Sequence, residues 1–169
     1  MRIATRHILL AALTGAALLL GGCAVDTDTT PTSSATAASG DDLAARWADA
    51  WNAGDADAMA ALFTSTGTYD DYAFQSSFTG PDGVATWVDM THEAIGDVAI
   101  AVDEVITGPD RAVVRGTFSG HLMGAPTPFA VPIVTVIETT GDQISAVADY
   151  YNRADVLGQS GLPLDLVFE

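Results

Sequence analysis

The chain has no lysine, a single cysteine and only six cationic side chains, all arginine, against 22 acids in 169 residues. Each shortage removes a class of function. Without lysine there is neither a Schiff-base nucleophile nor a phosphate-loop cation. A formal charge of −16 argues against nucleic acid as a partner and against electrostatic docking to anionic lipid. The lone Cys23 leaves the rest of the chain with no disulfide and no thiol nucleophile. The three histidines, His7, His92 and His121, fall at no metal-ligand spacing, so the chain calls for no metal and no cofactor. Long apolar runs are also scarce: the one in the chain, Ile8 to Leu20, is short for a bilayer span.

That run follows Arg2 and Arg6 and precedes Leu20-Gly21-Gly22-Cys23. A basic start, an apolar stretch and a small-residue site directly before a cysteine are similar to a bacterial lipoprotein signal. The resemblance implies cleavage after residue 22, acylation of Cys23 and attachment to the extracytoplasmic side of the cell membrane through lipid alone. Removal of the leader leaves four arginines against 22 acids, a charge of −18. Residues 23–40 are rich in Thr, Ser, Ala and Asp with no large apolar residue beyond Val25, the composition of a flexible tether.

Residues 41–169 read as one domain. Ser39-Gly40-Asp41-Asp42 is an N-cap with acids in the first turn, and Leu43, Trp47 and Trp51 recur at helical spacing up to Gly54. Asp55 caps a second short helix carrying Met59, Leu62 and Phe63. A short strand is expected over Gly67 to Tyr72. Thr79-Gly80-Pro81 starts a third helix, with Val84, Trp87, Val88 and Ile95 on its apolar face. From Asp97 the period changes from helical to alternating. Strands are expected over 98–106, 111–121, 129–138 and 144–152, joined by short turns as an antiparallel meander. Helices first and strands after make an α+β domain, with the helices covering one face of a curved sheet.

In the last of these strands, Ile144-Ser-Ala-Val-Ala-Asp149-Tyr-Tyr-Asn152, a carboxylate sits in the interior, where burial of a charge is costly without a partner. Side chains alternate between faces. Apolar matching of Ile144, Ala146 and Ala148 would turn Asp149 to solvent.

The order of elements resembles the nuclear transport factor 2-like superfamily, in its SnoaL-like branch. The resemblance is carried by Trp47 through Asp55, Tyr69, Gly80-Pro81-Asp82-Gly83, Arg115 through Gly120, and Asp149 through Asn152 to Gly161. It implies a cone-shaped fold with a mostly apolar pocket at its wide end, and frequent dimers through the outer sheet face. It also implies that Asp149 points inward, which a β-bulge would reconcile with the apolar pattern. Pocket carboxylates in this superfamily commonly run acid–base chemistry. Asp149 matches a position that is often acidic in the epoxide hydrolase-like and cyclase-like members. Arg115 matches an arginine that the epoxide hydrolases set between two carboxylates, although Thr117 stands where the second carboxylate would be. The cyclases often carry a histidine on this strand; here Phe118 occupies the place, with His121 three residues on.

The expectation is a small, mostly apolar molecule held in the pocket without established turnover. An acid–base hydrolase, isomerase or cyclase is the alternative. In that alternative Asp149 is the base, Arg115 tunes it, and Tyr69 donates a hydrogen bond. Trp47, Trp51, Trp87, Asp71, His121 and Tyr151 complete the candidate pocket.

Overall fold

A computed structural model describes residues 39–167. The leader, Cys23 and nearly all of the proposed tether lie outside the described residues. Helix α1 (Gly40–Ala53) starts on Ser39, whose hydroxyl accepts the Asp42 N–H at 3.3 Å, and ends on Gly54 at a φ of 62°, a conformation glycine adopts without penalty. Helix α2 (Ala56–Ala60) is capped by the Asp55 carboxylate. It stops before Leu62 and Phe63, a correction to the expected length. Phe63 instead opens β1 (Phe63–Asp71), which is longer than the expected strand. A short strand that the pattern did not reveal, β2 (Ser76–Thr79), pairs back on β1, and α3 (Gly80–Ala94) follows with proline in its first turn.

The second half is the expected meander: β3 (Ile95–Thr107), β4 (Arg111–Leu122), β5 (Phe129–Thr140) and β6 (Gln143–Tyr150), each antiparallel to the next. The strand order is β2-β1-β6-β5-β4-β3, and β1 runs parallel to β6. A further helix, α4 (Arg153–Gln159), capped by the Asn152 side chain, returns the C-terminal segment toward the core, where Leu162 and Leu166 pack.

Helices α1 and α3 pack on one face of this sheet. Leu43, Trp47 and Trp51 from α1 and Val84 and Val88 from α3 are buried against an inward row that includes Val114, Val131, Ile137 and Val147. Full burial of such side chains contributes roughly 1.5–3 kcal/mol each. Asn52 fastens α1 to the edge strand, its amide both donating to the Ile100 carbonyl and accepting the Ile100 N–H. On β4 the inward positions Gly116 and Gly120 are close-approach sites. A Cβ at 116 would lie 2.3 Å from the Ala101 carbonyl oxygen, so β3 can bend over β4 only if that residue is glycine.

The direction of Asp149 follows from one irregularity. Glu138 pairs with Ala146 and Thr139 with Ile144, so β6 carries one extra residue, Ser145, between them. This bulge switches parity along the strand. Ile144 faces the core before it, and Val147 and Asp149 face the core after it. The apolar pattern and the inward carboxylate are therefore both satisfied.

Candidate functional site

Four strands bring the site together in a single row. Val114 on β4 pairs with Thr135 on β5, Thr135 with Asp149 on β6, and Asp149 with Asp71 on β1. All four residues are buried. The Asp149 carboxylate is held from two sides: Tyr69 Oη donates to Oδ2 at 2.7 Å and Thr135 Oγ1 donates to Oδ1 at 2.5 Å. The Tyr69 oxygen in turn accepts the indole N–H groups of Trp51 at 2.9 Å and Trp47 at 3.3 Å. Two tryptophans, one phenol and one carboxylate thus form a polar chain inside an apolar core, each link oriented by the one behind it.

Asp71 has a network of its own. Tyr151 Oη donates to Oδ2 at 2.5 Å, and the Phe74 N–H donates to Oδ1 at 2.8 Å. Among the described residues neither carboxylate forms an ion pair that would balance its burial. Desolvation therefore pushes the Asp149 carboxyl up to about 7, against the lowering effect of Thr135 and Tyr69, with the Asp71 charge adding to the rise. Burial also raises Asp71, opposed by Tyr151 and by backbone N–H groups. Burial and the neighbouring carboxylates hold the Tyr69 and Tyr151 phenols well above their usual value, so both stay protonated donors at neutral pH.

Both carboxylates line a cavity of about 630 Å³ between α3, the sheet and the C-terminal segment. Its walls are largely aromatic and aliphatic, with Trp51, Phe74, Trp87, Phe118 and Tyr151 among them. This is ample room for a small organic molecule. A carboxyl group that titrates near neutrality at the floor of such a space can both give and take a proton.

The structure separates the expected site residues into three groups. Asp149, Asp71, Trp51, Trp87 and Tyr151 line the cavity. Trp47 and Tyr69 are fully buried behind it, so Tyr69 donates to Asp149 rather than to an occupant of the pocket. Arg115 and His121 are elsewhere, and here the expectation is corrected. Arg115 faces outward, with Nε 3.2 Å from Glu104 and Nη1 3.2 Å from Asp103, and it does not meet Asp149. His121 bonds the Ala125 carbonyl at the end of β4. Alternation explains both. Ala112, Val114, Phe118 and Leu122 are the buried, even-numbered positions of β4, so odd-numbered side chains point away from them. That signal was present in the sequence.

Two contributors were missed. Thr135 belongs to the inward series Phe129, Val131, Ile133, Thr135, Ile137, where a lone hydroxyl among apolar residues is the cue. The pairing of Asp71 with Asp149 had no local cue, because it comes from a parallel contact between strands far apart in sequence.

The SnoaL-like domain family model matches residues 44–147. The chain belongs to that family. A protein of Catenulispora acidiphila with a ketosteroid isomerase-like fold, solved in complex with trimethylamine, is 36% identical. The match covers 75% of this SnoaL-like chain and 97% of that one, with a TM-score of 0.73. An LEH-like epoxide hydrolase of M. tuberculosis shares the fold at 16% identity, 69% and 85% coverage and a TM-score of 0.59. A provisionally named SnoaL-like polyketide cyclase of Shewanella denitrificans does so at 13% identity, 69% and 93% coverage and a TM-score of 0.63. No curated protein matches the chain.

Proposed function

We propose that this SnoaL-like domain binds a small, mostly apolar molecule in its cavity and exchanges a proton with it through Asp149. The observation that carries the reading is the environment of that carboxylate: buried, lining the cavity, bonded by Tyr69 and Thr135, and titrating near 7. Binding of a neutral apolar molecule without turnover, the plainer alternative, gives no role to a carboxyl group raised so far. A simple holder of apolar ligands is more stable without a buried acid. Asp149 is the proton acceptor and donor. Tyr69 and Thr135 are positioning residues that keep its two oxygens aimed and set its basicity. The trimethylamine bound to the Catenulispora relative is of the size this cavity admits and is itself a small base.

The test has two parts. Carbon-13 NMR of labelled aspartate should show one carboxyl titrating near pH 7, with that signal absent in Asp149→Asn. Small ketones incubated with the protein in deuterated water should exchange their α-protons faster than with Asp149→Asn. A carboxyl in the ordinary aspartate range, together with equal exchange in both proteins, would overturn the reading.

Export and lipidation at Cys23 form a separate part of the proposal, supported by Arg2, Arg6, the Ile8–Leu20 run and Leu20-Gly21-Gly22-Cys23. Incorporation of an alkyne-tagged fatty acid in a bacterial host, lost in Cys23→Ser, would support it; equal labelling would refute it. Pairing of two copies through the outer sheet face, where Val134 and Tyr150 remain exposed, is read by sedimentation.

A further inference from the structure

The cavity contains a feature that proton transfer through Asp149 does not use: a second buried carboxylate in the adjacent strand position. Asp71 and Asp149 are register partners on parallel β1 and β6, where neighbouring strands run about 4.8 Å apart. Both line the cavity. The cation in the lining, Arg153, donates to the carbonyls of Leu164 and Leu166 and lies over the Phe74 ring, 5.5 Å from its centroid. Around the carboxylates stand the rings of Trp51, Phe74, Trp87, Phe118 and Tyr151, with Phe118 and Tyr151 set edge to face at 5.3 Å. A second observation points to an occupant. Thr91, buried and on the same cavity wall, has a hydroxyl with no partner among the described residues, and the unmatched indole N–H of Trp87 calls for an acceptor, which a hydroxyl on the occupant would supply. Buried polar groups are rarely left without a partner unless a ligand or water supplies one.

From this arrangement we infer that the cavity takes an alkylammonium cation, with the Asp71/Asp149 pair as its counter-charge and the aromatic rings as its cage. Such an ion has methyl groups for the apolar wall and a diffuse positive charge for ring faces and carboxylates, and aromatic cages recognise quaternary ammonium groups on this basis. A neutral molecule of the same shape would leave both acids holding their protons and would gain no charge attraction from them. A carboxylate or phosphate ligand would be repelled by them.

The inference shares the cavity with the proton-transfer reading but not its chemistry, since a quaternary ammonium can bind without giving up a proton. It carries a linkage consequence. The buried acids hold protons that they release when a cation takes their place. The other titratable groups facing the pair, Tyr69 and Tyr151, stay neutral because burial holds them high, and the Arg153 guanidinium is engaged with the Leu164 and Leu166 carbonyls. Cation affinity should therefore rise with pH, by up to tenfold per unit where one proton is released, and level off above about pH 7.

The experiment uses choline and its uncharged isostere 3,3-dimethylbutan-1-ol, titrated calorimetrically into the protein between pH 5.5 and 8.5. Two buffers of different ionisation enthalpy report the protons released. The expected result is at least tenfold tighter binding of choline at pH 8, weakening toward pH 6, with proton release near pH 6.5. Asp71→Asn should lose most of the preference for choline while still binding the isostere. Equal affinity for the two compounds, no binding of choline, or a pH-independent preference would overturn the inference. Deuterium exchange through Asp149 is measured separately, so either idea can fail while the other stands.

Discussion

Two rows of the same sheet, one residue apart, carry charge in opposite ways. On the outer face, Glu104 on β3, Arg115 on β4, Val134 on β5 and Tyr150 on β6 lie side by side. On the inner face, one step along, are Val114, Thr135, Asp149 and, on β1, Asp71. The outer arginine has two carboxylate partners in water, where Coulomb attraction is screened and each exposed pair is worth about 0–1 kcal/mol. The inner carboxylate has only neutral hydroxyl donors, and desolvation dominates its titration. The comparison teaches that full ion pairing on the outer face does little, whereas incomplete compensation on the inner face moves a carboxyl group toward neutral titration.

The sharpest way to break the contrast is Asp149→Asn. Proton exchange with a pocket ligand should fall by about 10²- to 10⁴-fold, the usual scale for a general acid or base, while circular dichroism stays unchanged. The same variant tests linkage. The folded protein holds the Asp149 proton up to about pH 7, whereas an unfolded aspartate loses it near 3.9. The native state therefore binds more protons between these values. Stability is greatest below the unfolded pKa and is lost as pH rises through the folded one, by up to about 4 kcal/mol. Urea denaturation from pH 4 to 8 should show this fall in the wild type and a flatter profile in Asp149→Asn. An unchanged slope would mean that the acid is solvated.

Tyr69→Phe comes next. It removes a donor to Asp149 and leaves the indole N–H groups of Trp47 and Trp51 without their acceptor. A loss of roughly 1–3 kcal/mol is expected in urea denaturation. The pH profile of exchange should also move alkaline, because the phenol lowers the Asp149 pKa. Thr135→Val should move that profile in the same direction at a smaller cost, about 1 kcal/mol, because valine keeps the volume and removes one bond. The smallest effect belongs to the outer row. Arg115→Ala should change stability by under about 1 kcal/mol and leave the exchange profile in place. A large loss of exchange in that variant would reverse the comparison between the faces.

Much of this was legible before folding. The caps at Ser39 and Asp55, the glycine stop at Gly54 and the proline start at Pro81 are local chemistry that a short segment expresses by itself. The four-strand meander was legible because its turns are short and its alternation clear. The outward turn of Arg115 was legible too, in the even-numbered apolar series of β4, and was obscured by a motif-level likeness. Less could be read around Phe63, where an apolar pair continued the helical pattern although the chain had already become a strand.

By itself the sequence determined an acidic α+β domain, its element order, and a carboxylate in its last strand, because propensity, capping and periodicity act over a few residues. Only the tertiary structure decided that Asp149 faces inward, that Asp71 lies beside it and that Thr135 and Tyr69 hold it. A single bulge at Ser145 sets the first, and the parallel pairing of β1 with β6 sets the second. Register is the physical reason. A shift of one residue exchanges the two faces of a strand, and what fixes it is the summed packing of strands distant along the chain.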